Sequence, residues 1–185
     1  DKERFEKVIS DDTILHRQDG YCSYVAEEDG DYTVMIRESS YRGGGNSFYR
    51  LHVGGFRRPD VVYPAGGKIG SKTKVRFIER DSFFEEEAQL PAEIDPNYMI
   101  YSKTQEPAPS GNPFRLVNYD NVLEVEPNED QAKATAAATG EPIALNGIIE
   151  KPGDVDYFKV PLKKGMTLEV QTFAQSLGSP LDSEI

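Results

Sequence analysis

Short apolar stretches of five to nine residues, separated by turns rich in Gly, Pro, Asn and Asp, constrain the fold more than any other feature of this chain. Tyr32, Val34 and Ile36 alternate with residues that would face the opposite side, which is the period of two of a half-buried strand. We therefore predict an all-β protein built from sandwiches of antiparallel strands. The predicted strands are residues 21–26, 33–39, 47–54, 73–80, 97–102, 114–118, 142–150, 155–162 and 166–174.

Composition divides the chain into three segments. Residues 55–70 are rich in Pro, Gly and basic side chains, which indicates a boundary, and a new acidic stretch begins near Asn121. We predict units at 1–54, 55–120 and 121–185. The acidic run at 83–97 is predicted to be a solvated loop, as is 103–113, and the Ala-rich residues 131–140 are predicted to form a short helix.

The overall charge limits the classes of partner. Asp and Glu total 32 against 21 Lys and Arg, a net charge of -11, which disfavours binding to nucleic acid. No run of about 18 apolar residues is present, so we predict no membrane insertion. The first ten residues lack the pattern of a signal peptide, and we expect the chain to be a piece of a longer protein with any export signal upstream of Asp1.

Residues for nucleophilic catalysis are scarce. His16 and His52 are the two histidines, and no serine lies in a G-x-S-x-G sequence. The single cysteine, Cys22, lies in a predicted strand, where we expect a buried and inert thiol. We predict that the chain is not an enzyme.

Two stretches at the end of the chain resemble a known domain. EVEPNEDQAKA at 124–134 and the run from GIIEKPGDVDYF at 147 to PLDSEI at 185 resemble the first half of the bacterial pre-peptidase C-terminal (PPC) domain. AEEDGDYTVMIRES at 26–39 and YRGGGNSFYRLHVG at 41–54 resemble the second half of the same domain. The resemblance implies a jelly-roll-like β-sandwich of the PPC type.

The middle segment has a resemblance of its own. VVYPAGGKIGSKTKVRF at 61–77 is similar to the immunoglobulin-like units of the transcription-factor (IPT/TIG) type, which lie between PPC domains in long planctomycete-like surface proteins. It implies a small Ig-like β-sandwich that acts as a spacer at 55–120.

These resemblances imply a function outside the cytoplasm. We expect a non-catalytic binding or adhesion module of a secreted or cell-surface protein, with an extracellular polymer or protein as partner, such as a polysaccharide or a collagen-like chain. Two alternatives stay open. The chain could be a structural spacer repeat that binds no ligand, or the processed C-terminal region of a secreted peptidase.

Two acidic clusters make calcium the candidate ligand. Glu124, Glu126, Asn128 and Asp130 lie at alternating positions, and Asp154 and Asp156 follow a glycine. Calcium takes six to eight oxygen ligands, which two such clusters can supply if they converge. The resemblance to collagen-binding relatives implies the same six residues, although Glu129 interrupts the usual Asn-Asp pair. The alternative is that these side chains only accept N–H bonds in turns.

The order of the segments has a physical consequence. Half a sandwich exposes strand edges and an apolar face, which folded proteins avoid. Residues 1–54 and 121–185 would therefore complete each other within one chain, complete each other between two chains, or be completed by sequence outside this chain.

Overall fold

The computed structural model describes Cys22 and residues 24–38, 40–56, 59–79, 82–104, 106–137 and 142–185. The chain divides into two compact units, Asp1–Gly55 and Phe56–Ile185. His16, Tyr21 and Ser23 lie outside the described residues, and the four described residues of the strand predicted at 21–26 form no strand.

The described part of the first unit contains turns and bends but no strand or helix. No strand is present in residues 24–38 and 40–55, so the strands predicted at 33–39 and 47–54 are wrong for their described residues. Met35 is 75% exposed and Phe48 is 90% exposed. Alternation makes a stable strand only when a neighbouring strand accepts its hydrogen bonds and covers one face, and the described residues of this unit supply no such neighbour.

The second unit contains eleven strands in its described residues. They are β1 (Val61–Tyr63), β2 (Gly66–Lys68), β3 (Lys72–Glu79), β4 (Ser82–Gln89), β5 (Met99–Ile100), β6 (Asn112–Pro113), β7 (Arg115–Val117), β8 (Asn121–Leu123), β9 (Thr135–Ala136), β10 (Ala144–Asn146) and β11 (Phe158–Lys159).

The core of this unit lies on an antiparallel sheet of order β1-β3-β4. Val75 and Phe77 alternate along β3 and are almost completely buried, and the Phe77 ring stacks on Phe84 of β4 with centroids 5.2 Å apart. β5 pairs with β6 and β2 with β7, which brings Ile100 and Leu116 into the same core. The strand predicted at 73–80 therefore corresponds to β3, Lys72–Glu79.

The acidic run shows where the sequence prediction was wrong. Residues 83–97 were predicted to be a loop, but β4 covers Ser82–Gln89. Glu85 and Glu87 face outward toward basic side chains of β3, with salt bridges from Lys74 and Arg76 to Glu85 and from Lys72 to Glu87. Cross-strand charge pairs remove the repulsion that would keep an isolated acidic run in solution.

The Ala-rich segment is not a helix in its described residues. Asp130–Lys133 forms a turn, and β9 follows at Thr135–Ala136, while 138–140 lie outside the described residues. The Thr135 N–H donates to the carbonyl of Tyr157, and its hydroxyl accepts the N–H of Val125. Tertiary pairing has overridden the helical propensity of the alanines.

The last segment forms short parallel pairs. β8 pairs with β10, and β9 pairs with β11, so only three residues of predicted strand 142–150 and two of 155–162 are in strands. The strand predicted at 166–174 is wrong, since those residues form no ladder.

The all-β class is confirmed for the part of the chain that the structure describes, where one short 3-10 turn, Gln175–Leu177, is the only helical element. The jelly-roll and Ig topologies stay predictions. None of the helices among the described residues has the length and apolar character needed to cross a membrane.

Candidate metal centre

Three carboxylates of the last segment meet at one point of the second unit. Glu124, Glu126 and Asp156 each offer an oxygen, and these oxygens lie within 4.8 Å of one another. Glu124 directly follows β8 and its N–H donates to the Asn146 carbonyl at 2.9 Å, while Asp156 lies two residues before β11. The parallel pairs β8-β10 and β9-β11 thus bring together side chains that are distant in sequence.

One carboxylate oxygen of Glu124 accepts a hydrogen bond, and the other has no partner among the described residues. Its Oε1 accepts the N–H of Ile148 at 2.8 Å. Its Oε2 and the Oδ1 of Asp156 are buried and have no hydrogen-bond partner among the described residues. A buried carboxylate oxygen without a donor is costly, so the group is favourable only with a proton or a cation between its members.

The electrostatics of the group support this view. Burial, followed by the negative charge of Asp156, raises the pKa of Glu124 to about 7. Burial also raises the pKa of Asp156, and the charges of Asp154, Glu126 and Glu150 add to it, whereas a hydrogen bond from a protonated Glu124 would lower it. A positive charge placed among these oxygens would reverse both effects.

Gly147 makes room for the group. A Cβ atom at this position would lie 2.8 Å from Glu124 Oε2 and still closer to Asp156 Oδ2. A side chain at this position would therefore displace the ends of the two carboxylates, which approach the bare Cα of the glycine.

Asn128 is a second unusual feature beside the group. Its N–H donates to Glu126 Oε2 at 3.1 Å, and its carbonyl accepts the N–H of Tyr157, the neighbour of Asp156. The residue is 0% exposed, yet neither Oδ1 nor Nδ2 has a hydrogen-bond partner in the described part of the chain. A fully buried amide without a partner is rare in folded proteins, and a bound water or ion is one group that would satisfy it.

The other two predicted ligands have different surroundings. Asp130 accepts the N–H groups of Ala132 and Lys133 at 2.9 and 3.1 Å and pairs with the Lys133 ammonium, and these bonds outweigh desolvation and lower its pKa. Asp154 accepts the N–H of Glu150 at 2.7 Å. Both belong to turns, as the alternative interpretation expected, and neither is part of the three-carboxylate group.

Two residues of this region were missed at the level of sequence. Tyr63, at the end of β1, donates its hydroxyl to the Asn146 carbonyl at 3.1 Å, and Gly147 underlies the carboxylates. Tyr63 lies in a different predicted segment from Glu124, so no local pattern connects the two.

The residues considered for catalysis do not join this group. His52 and Cys22 are both exposed, which makes the expectation of a buried thiol at Cys22 wrong. No other group of three or more His, Cys, Asp or Glu side chains close enough to hold a metal occurs in the described residues.

The fold and the site define an all-β protein with a small acidic group that could hold a metal ion. Comparisons of the chain with protein-family models, curated proteins and solved structures give no match. The PPC and Ig-like resemblances therefore stay predictions.

Proposed function

We propose that the chain is a non-catalytic binding module of a secreted or cell-surface bacterial protein, and that it binds calcium through Glu124, Glu126 and Asp156. The observation that carries the calcium proposal is the meeting of three carboxylates with buried, unpartnered oxygens at Glu124 and Asp156. Carboxylate and amide oxygens are hard donors, which suit calcium and magnesium better than thiophilic metals.

Calcium fits the donor set better than magnesium does. Magnesium requires near-octahedral geometry and keeps several waters, whereas calcium accepts an irregular set of carboxylate, amide and water oxygens. Glu126 is exposed, so water has access to the group. The buried Asn128 amide, which has no partner in the described part of the chain, supports the proposal because a bound ion or water would satisfy it.

Isothermal titration calorimetry with calcium chloride on the whole chain tests the cation. We expect a single site with a dissociation constant of roughly 10⁻⁴ to 10⁻³ M, as in extracellular modules. The Glu124→Gln variant should lose this binding, while Glu87→Gln, which changes an outward carboxylate of β4, should keep it. Absence of heat and of any rise in melting temperature at millimolar calcium would refute the calcium proposal.

The binding role is tested with immobilised ligands. Arrays of polysaccharides and collagen-like peptides, probed with and without a chelator, should show at least one ligand that is retained and lost on chelation. Silence on all arrays would favour the structural spacer, for which the hydrogen bond from Asn121 Nδ2 to the Gly66 carbonyl at 2.7 Å is a supporting contact, since it ties the middle segment to the last one.

A further inference from the structure

The Asn146 carbonyl oxygen accepts two hydrogen bonds, from two different segments of the chain. The N–H of Glu124 donates to it at 2.9 Å, and the hydroxyl of Tyr63 donates to it at 3.1 Å. The first donor positions the backbone of a proposed calcium ligand. The second comes from β1, which is part of the core sheet and pairs with β3.

Tyr63 is a permanent donor at this point. Burial, followed by the negative charge of Glu124, raises its pKa to about 12, so the phenol keeps its proton throughout the physiological range. A carbonyl that receives a fixed donor on one side is restricted in where it can offer its second lone pair. The position of Tyr63 therefore restricts the position of Glu124.

A second contact holds the start of β8, the strand that directly precedes Glu124. The Nδ2 of Asn121, the first residue of β8, donates to the carbonyl of Gly66 at 2.7 Å. β8 is thus attached to the middle segment at its first residue, and the residue that follows β8 is attached through Asn146. The carboxylate of Glu124 lies at the end of this doubly held strand.

We infer that Tyr63 is a positioning residue for the three-carboxylate group, and that cation binding and the contact of β1 with Asn146, the last residue of β10, strengthen each other. This inference rests on the proposed calcium binding, for which the buried and unpartnered Asn128 amide is evidence independent of the acidic cluster. Because binding linkage is reciprocal, a cation that needs the contact must also stabilise it, by the same factor.

The first test compares two matched variants by calorimetry with calcium chloride on the whole chain. Tyr63→Phe removes the hydroxyl at Asn146 and should weaken calcium binding about fivefold, the effect of one neutral hydrogen bond. Tyr98→Phe is the control, since Tyr98 is also half-buried in the second unit but packs on Phe114, with ring centroids 6.1 Å apart. It should bind calcium as the unchanged chain does.

The second test measures hydrogen exchange, first in the unchanged chain and then in Tyr63→Phe. Calcium should slow hydrogen exchange at the amides of Glu124 and Ile148, which lie at the group, and also at the amides of β1. The slowing in β1 should disappear in Tyr63→Phe, and so should part of the calcium-induced rise in melting temperature. A merely structural role of Tyr63 would lower the melting temperature equally with and without calcium.

The outcomes separate the inference from the proposed function. If calcium binds and protects Glu124 and Ile148 but leaves β1 exchange unchanged, or if Tyr63→Phe binds as tightly as the unchanged chain, the inference is overturned and calcium binding stands. If the unchanged chain binds no calcium, both are overturned.

Discussion

Glu124 and Asp156 present their carboxyl groups to each other in a half-buried place, where two negative charges are unfavourable. A single proton relieves this repulsion at low pH, and a divalent cation relieves it at neutral pH. Asp130 illustrates the contrast, because N–H donors and Lys133 already satisfy its charge. The environment of each carboxylate, more than its position in the motif, distinguishes candidate ligands from turn residues.

The raised pKa of Glu124 predicts how stability depends on pH without a cation. Between about 4.5, the ordinary value, and about 7, the folded chain keeps a proton that the unfolded chain has lost, so the free energy of unfolding should fall as pH rises through this range. At pH 8, Glu124→Gln should be more stable than the unchanged chain, because it removes an unfavourable negative charge. The gain should be only about 1 kcal/mol, because the group is partly exposed and solvent screens it. Urea titrations at pH 5 and pH 8 in the presence of a chelator measure this difference, and an equal difference at both values would contradict it.

Gly147→Ala should impair cation binding more than folding. The added Cβ would collide with the ends of two carboxylate side chains, which can swing away but then no longer converge. We expect calcium affinity to fall about tenfold or more, equivalent to about 1.4 kcal/mol, with a small change in melting temperature. Gly30→Ala is the control, since a Cβ there would have no heavy atom within 4 Å. Unchanged affinity in Gly147→Ala would show that the carboxylates do not act together.

Among the elements, β4 carries an inward carboxylate that the sequence did not reveal. Glu86 accepts bonds from the hydroxyls of Ser102 and Thr104 and from the N–H groups of Lys103 and Thr104. Desolvation opposes its ionisation, but these donors outweigh it, and the pKa of Glu86 lies below its ordinary value. One side chain therefore fastens the residues after β5 to the core sheet.

Glu86→Gln should be destabilising by about 1 to 3 kcal/mol at pH 7, because hydrogen bonds to a charged acceptor are lost. The loss should shrink as pH falls below 4.5, where the carboxylate itself becomes protonated in the unfolded chain and then in the folded one. Chemical denaturation at pH 7 and pH 3 measures the free energy of unfolding of the variant and of the unchanged chain at each pH. Glu87→Gln, on the outward face, should cost less than about 0.5 kcal/mol, and an equally large effect there would contradict the account of β4.

The strands show what the sequence could and could not predict. The short run at 73–80 predicted β3, because it contains the apolar residues Val75 and Phe77, which are buried in the structure. β4 was missed because its charges are explained only by the basic side chains of β3. The acidic positions were predicted, but the selection of Glu124, Glu126 and Asp156 among them depends on strand pairing, as do the contributions of Gly147 and Tyr63.

On the scale of the whole molecule, many apolar side chains of the first unit are exposed to solvent in the part of the chain that the structure describes. Phe48 is 90% exposed and Val25 is 82% exposed. Exposed apolar surface of this kind is typical of an interaction site or an incomplete core.

We expect the chain to associate with itself as concentration rises, with apolar segments of the first unit covered by a neighbouring copy. Size-exclusion chromatography with light scattering measures the mass, and Phe48→Ser should reduce association relative to Phe83→Ser, a change on the outer face of β4. A compact monomer at every concentration would rule out completion between chains.

Calcium binding by Glu124, Glu126 and Asp156 is the central claim, and X-ray diffraction from crystals soaked in a calcium or terbium salt tests it most directly. The account predicts an anomalous difference peak bonded by oxygens of these three side chains, at about 2.3 to 2.6 Å for calcium. A map with no peak at that position in a saturated crystal, while the three carboxylates keep the observed arrangement, would contradict it.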